Sequence, residues 1–151
     1  MNKILNPLLG AVLLLLVGCA SFSNLGSLNA ATVGSQTTIL VQGAEIALQN
    51  DPTFLIEFRN GCLSAGNLLV EFSTGSIVIS TSALQTLVYN SLISSGISVA
   101  NATNVSKIVV AEYTLIAAQY GFTGVVTVPQ TVNVKTINPF LASIGNALLG
   151  A

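Results

Sequence analysis

The residue types that could do chemistry in this chain are few, and the missing types exclude several reactions. The sequence has no histidine, two cysteines, five acidic and four basic residues. Without histidine there is no Ser-His-Asp or Cys-His catalytic set and no imidazole ligand for a metal. The glycines form no phosphate-binding motif, and no EF-hand-like run of acidic residues is present. The sequence therefore predicts no catalytic, cofactor-binding or metal site.

The pair Glu57 and Glu71 comes closest to an acid–base couple. Both lie in a segment with helical periodicity, where 14 residues correspond to about 21 Å. Glycosidase carboxylates lie about 5 to 9.5 Å apart, so this pair is too widely separated. Arg59 follows Glu57 by two residues, and residues at that spacing do not face each other on a helix. We expect each of these charges to be exposed to solvent.

Glu112 is the most unusual carboxylate, because its neighbours at helical spacing are apolar. We expect it to pair with Lys135 or with a partner chain, and the sequence leaves both alternatives open. A Ser-Lys pairing without a recognisable motif is the remaining enzymatic hypothesis.

Cys19 comes directly after an apolar run near the start of the chain. Lys3 gives a short positive region, residues 8–17 are free of charge and mostly aliphatic, and Gly18 provides a small residue before the cysteine. The run is about half the roughly 20 residues that a membrane-spanning helix needs. Two alternatives are an ordinary secretory signal, with Cys19 incidental, and an uncleaved anchor.

The sequence Leu16-Val17-Gly18-Cys19 resembles the lipobox of bacterial lipoproteins. This resemblance covers about the first 20 residues and implies cleavage before Cys19, a diacylglycerol thioether on Cys19, and acylation of the new amine, for example by palmitate. Ala20 rather than Asp after the cysteine implies sorting to the outer membrane in lipoproteins of this kind. No family resemblance is identified in the rest of the chain.

If Cys19 carries lipid, Cys62 is the one remaining thiol. One thiol makes no intrachain disulfide and no multi-cysteine zinc site. Cys62 lies on an apolar helical stripe, where a free cysteine is typically a small buried hydrophobe. The alternative is an intermolecular disulfide in an oxidising periplasm.

Charged residues make up only 6% of the chain, whereas about 25% is ordinary. No basic cluster is present, which excludes the electrostatic attraction on which nucleic-acid binding depends. Either abundant Ser, Thr, Asn and Gln supply the polar surface, or like subunits, a partner or lipid cover much of it. Because a near-neutral surface favours association, we favour the covered surface.

The first half of the chain is predicted to be a tether followed by two helices. Residues 19–36 are rich in Ser, Asn, Gly and Ala and predict a lipidated tether; docking of Leu25, Leu28 and Val33 onto the domain is the alternative. Residues 37–50 have helical spacing, and Asp51-Pro52 predicts the start of the next helix. The strongest apolar stripe in the chain follows. Its members are Phe54, Phe58, Cys62, Ala65, Leu69 and Phe72.

The second half is predicted to contain helices and a strand. Ser80 or Ser82 is expected to cap a helix that ends near Gly96, and residues 101–104 to cap another that ends at Gly121. From Gly124 the apolar residues alternate, which predicts a half-buried strand kinked at Pro129. The strand residues on its apolar face are Val126, Val128, Val132 and Val134. We expect it to pair with a short strand near Ile77 or with another subunit, and Asn138-Pro139 to start a C-terminal helix.

These patterns predict a mainly helical α+β domain at residues 37–151, behind a signal peptide at 1–18 and a tether at 19–36. The function we expect is that of a non-enzymatic lipoprotein of the bacterial outer membrane. It would have a structural or assembly role, self-associating as a homo-oligomer or docking on a larger envelope complex. The alternatives are a carrier for an apolar ligand such as lipid, and a membrane-inserting protein.

Overall fold

The computed structural model describes residues 28–122, 128–129 and 131–151, which form five helices. These are α1 (Ala30–Leu48), α2 (Pro52–Phe72), α3 (Thr81–Ser94), α4 (Val99–Tyr120) and α5 (Val134–Leu149). Helix accounts for 78% of the described residues, and none of those residues lies in a strand. The prediction of an α+β fold is therefore wrong.

The described part of the expected strand is irregular up to Asn133 and then continues as the first turn of α5. Asn133 caps this helix by accepting a hydrogen bond from the N–H of Lys135 at 2.9 Å, and Val134 is its first residue. The side-chain cap makes a helix start out of a segment that alternates in hydrophobicity. Residues 123–127, with Val126, lie outside the described residues, and the expected partner strand near Ile77 is an irregular connection.

Two predicted helix starts are also wrong, for the same local reason. The helix expected to begin at Asn138-Pro139 begins five residues earlier, and Pro139 lies inside it. The helix expected to be capped within residues 101–104 is capped by Ser98, whose hydroxyl accepts from the N–H of Asn101 at 3.4 Å. In both places an upstream Asn or Ser satisfies the free N–H groups first.

Three other predicted helix boundaries are confirmed. Asp51 accepts from the N–H of Phe54 at 3.1 Å, with Pro52 in the first turn, and Ser80 accepts from the N–H of Ala83 at 3.2 Å. Gly121 ends α4 in the left-handed region, with φ of 75°, where a side chain would be strained.

The first helix begins within the segment that we expected to be a tether. Asn29 caps α1 by accepting from the N–H of Thr32 at 2.9 Å. Residues 30–36 are therefore the first two turns of a helix, and Val33 is fully buried. For Val33 the structure shows the alternative, docking onto the domain.

The core lies between these helices, and α4 is the most enclosed of them. The predicted stripe on α2 is confirmed: Phe58, Cys62, Ala65 and Leu69 are buried. Eleven residues of α4 are buried, a larger number than on any other helix. A helix buried on so much of its surface needs neighbours on several sides, and α4 contacts all four of the other helices.

Helix α5 packs against α2 and α1 through small residues. A Cβ added to Gly66 would lie 2.8 Å from the carbonyl oxygen of Gly145, and a Cβ on Gly145 would lie 2.9 Å from that of Gly66. On the other side, the hydroxyl of Ser143 donates to the carbonyl oxygen of Ala30. Asn138 donates to the carbonyl oxygen of Gly75 at 3.1 Å, so α5 runs antiparallel to α2.

We expect Gly66→Ala and Gly145→Ala each to destabilise the protein by about 1–3 kcal/mol, because the new methyl group forces two backbones apart. Denaturant unfolding of the purified protein measures this. Gly150→Ala is the matched control, since its Cβ would meet nothing closer than 3.5 Å. Stability equal to that of the control would contradict the close crossing of α2 and α5.

Candidate functional site

The structure places the sequence-predicted residues at separate points instead of in one cluster. Cys19 and the segment before it lie outside the described residues. Glu57 and Glu71 both lie on α2, as predicted, near opposite ends of that helix. Glu71 is exposed, which confirms the expectation of a solvated charge. In the described part of the chain no group of three or more Cys, Asp or Glu side chains could hold a metal ion.

Glu57 links α2 to the start of α4. One carboxylate oxygen accepts a hydrogen bond from the N–H of Ser98, and the other accepts from the side-chain amide of Asn101 at 3.0 Å. The same amide donates to the carbonyl oxygen of Phe54 at 3.2 Å. Burial acts to raise the pKa of Glu57, but the hydrogen bonds from Ser98 and Asn101 outweigh it, so the pKa is lowered. The expectation of a purely solvent-exposed charge is therefore wrong for Glu57.

Arg59 pairs with a residue that sequence spacing does not suggest. Its Nε donates to the carboxylate of Glu45 on α1. The spacing argument predicts that Arg59 does not pair with Glu57, and the structure agrees. This ion pair joins α1 to α2, and it leaves α1 with no unpaired charged side chain, since Glu45 is the only charged residue of that helix.

Glu112 is the most unusual polar side chain in the structure. It is 2% exposed, and its Oε2 has no hydrogen-bond partner in the described part of the chain. Burial raises its pKa to about 7. Lys135 is exposed, and the ion pair that we considered between these two residues is not formed among the described residues.

Other buried polar atoms also lack hydrogen-bond partners among the described residues. They include Oε1 of Gln36 on α1 and Nδ2 of Asn104 on α4. Each such group costs about 1–3 kcal/mol relative to a satisfied one. Asn104 and Asn101 are both buried within α4. These two polar positions of α4 therefore belong to the interior of the bundle.

Cys62 is a free thiol with no solvent exposure. Burial, and secondarily the nearby charge of Glu45, raises its pKa to about 12. Because the thiolate is the reactive species, this residue is inert at neutral pH. The prediction of a small buried hydrophobe is confirmed, and the structure does not support the alternative of an intermolecular disulfide.

Two of the open grooves on the described surface have volumes in the range of ligand-binding pockets. One groove, of about 740 Å³, follows α3 and is lined mainly by hydroxyl and amide side chains, among them Thr86, Asn90 and Ser94. The other, of about 700 Å³, lies between α2 and the α3–α4 turn, beside Ile56 and Leu63. Lys107 and Lys135 are exposed, and neither is bonded to a serine among the described residues, so these residues give no support to a Ser-Lys pair.

A scan against protein-family models and searches of curated proteins and of solved structures find no match to this chain. Its function therefore has to be argued from its own residues.

Exposed aliphatic side chains are the surface feature that sequence reasoning missed. They lie on several helices and connections, and the most exposed are Ile39, Ile46, Ile56, Ile77 and Val99. Helical spacing groups Ile39 with Leu40, Ala44 and Leu48 on the apolar face of this segment, but the structure exposes Ile39. Among the described residues, no helix is long and apolar enough to cross a membrane.

We expect Glu112 to make the stability of the protein depend on pH between about 4.5 and 7. Its pKa is higher in the folded protein than the usual 4.5, so folding favours the neutral acid. The stabilisation is complete below about pH 4.5 and is lost as the pH rises to about 7, by roughly 3 kcal/mol. Denaturant unfolding at a series of pH values measures it.

Glu112→Gln keeps the shape of the side chain and cannot ionise, so the fall in stability over this range should disappear. Glu71→Gln is the control, since Glu71 is an exposed carboxylate on α2, and it should leave the fall unchanged. An identical pH profile for the wild type and Glu112→Gln would show that Glu112 is not held as a neutral acid.

Proposed function

We propose that this protein is a non-enzymatic lipoprotein of the bacterial cell envelope, anchored to the outer membrane by lipid on Cys19, with a structural or assembly role. The observation that carries the proposal is the sequence Leu16-Val17-Gly18-Cys19, which resembles a lipobox. Asn29, the cap of the first helix, lies ten positions after Cys19. A lipid anchor and a folded helical domain are thus separated by a short connection.

The surface of the described domain supports an assembly role. Its charged residues are few, and two of them, Glu45 and Arg59, already pair with each other. Ile39, Ile46 and Ile56 are all more than half exposed. Apolar side chains at the surface of a near-neutral protein favour association with other surfaces.

Anchoring by two or more acyl chains is effectively stable, because each buried CH₂ contributes about 0.8 kcal/mol, whereas one chain binds only marginally. The folded domain then needs no membrane-spanning helix to stay at the bilayer. The polar residues that the sequence uses in place of charges, chiefly Ser, Thr, Asn and Gln, keep the remaining surface wet without like-charge repulsion between neighbours.

Replacing the anchor residue tests the proposal. We expect the full chain with Cys19→Ser to lose palmitate labelling and to appear in the soluble fraction, and the wild type to sediment with membranes. Cys62→Ser is the matched control, because Cys62 is buried, and it should keep both the label and the membrane location. A Cys19→Ser protein that is processed and membrane-bound like the wild type would contradict the lipid anchor.

A further inference from the structure

The outer face of α1 is not covered by any other part of the chain that the structure describes, and its residues have the spacing of a two-helix seam. It consists of the exposed residues Ala31, Ser35, Ile39, Gln42 and Ile46. From Ser35 onward their steps are 4, 3 and 4, which is the heptad spacing of positions d, a, d and a. Ile39 and Ile46, 58% and 65% exposed, then occupy the a positions, and the polar residues Ser35 and Gln42 occupy the d positions.

We propose that a second copy of this chain covers the outer face of α1, so that two anchored molecules pair α1 against α1 in parallel. This inference rests on the proposed lipid anchor. It deepens the assembly role by naming the surface and the partner.

Charge is the first argument for a second copy. Glu45 is the only charged residue of α1, and it is held by Arg59 of its own chain. Two identical faces therefore meet without like-charge repulsion, which at an interface costs several kcal/mol. The face offers no unpaired charged side chain with which a charged partner could form an ion pair. A self-complementary pair also closes on itself as a two-fold dimer.

The chain before α1 is the second argument, because it sets the direction of pairing. Asn29 lies ten positions after Cys19, and an extended chain over ten steps reaches at most about 36 Å. Helix α1 is about 28 Å long. In an antiparallel pair one α1 would begin about 28 Å farther from the bilayer and use most of that reach. In a parallel pair both begin at the same height, and Ile39, Gln42 and Ile46 each face their own copy.

The area of the face is the third argument, because it explains why pairing needs the membrane. A stable interface in solution buries about 1,200–2,000 Å² in total, and a single helix face on each chain falls short of this. Two anchors in one bilayer raise the effective concentration of the faces without adding a contact. The pair is therefore expected on the membrane and not in dilute solution.

Thiol crosslinking of the full chain in living cells tests the inference. Gln42→Cys places a thiol between Ile39 and Ile46, where a parallel pair brings it opposite its own copy. We expect mild oxidation to give a disulfide-linked homodimer. Gln85→Cys, on the exposed side of α3, is the matched control and should stay monomeric. Cys62 is buried with a pKa near 12 and does not contribute.

A second substitution tests whether the dimer depends on the α1 face itself and not only on the position of the cysteine. Adding Ile39→Glu to Gln42→Cys should reduce the dimer at least about tenfold, which corresponds to about 1.4 kcal/mol. Adding Ile56→Glu should leave the yield unchanged, because Ile56 is 59% exposed on α2 and lies off the face. Both sites are exposed, so neither change should unfold the protein, and circular dichroism checks this.

Membrane fractionation of the same cells separates the two proposals. A Gln42→Cys protein that is anchored but monomeric, or that is linked to a different protein, overturns the pairing and leaves the anchor intact. A protein found unanchored contradicts the proposed function as well as the pairing. A homodimer whose yield is not reduced by Ile39→Glu would also contradict pairing through the outer face of α1.

Discussion

The close approach of α2 and α5 at Gly66 and Gly145 is the constraint on which the rest of the bundle depends. Each glycine leaves room for the other's carbonyl group, and a single methyl group at either site would collide with backbone. With its backbone this close to α2, α5 lies near enough to α1 for Ser143 to bond to Ala30. A chain with few charges thus gains its cohesion from close contact between helices, where dispersion and apolar burial are strongest.

Helix α4 is enclosed by the other helices and carries buried polar side chains, which a purely apolar interior would lack. Glu57 fixes its start through Ser98 and Asn101, and Tyr113 donates to the carbonyl oxygen of Ile79 at 2.8 Å. Glu112 is the exception, a buried carboxyl held near neutrality by burial alone.

The sequence predicted those parts of the fold that depend on local signals. Apolar periodicity found the buried stripe of α2, and Asp51 and Ser80 marked two helix starts, because each cap acts on residues within one turn. The alternating valines around the start of α5 led to the wrong prediction of a strand. A period of two over a few residues does not outweigh the helix cap at Asn133. The Glu57–Ser98 bond spans 41 residues, so no local pattern could indicate it. The same holds for the partnerless state of Glu112, which depends on how α4 is enclosed.

Native mass spectrometry tests the proposed lipid anchor on Cys19 and the proposed pairing of α1 at once. The Gln42→Cys protein would be oxidised in its membrane, extracted in mild detergent and measured intact, so that a pair formed at the bilayer is held by its disulfide. We predict a two-chain species in which each chain begins at Cys19 and carries diacylglycerol and acyl mass. A single chain that still begins at Met1 and carries no lipid would contradict the central claim of an anchored, self-pairing envelope protein.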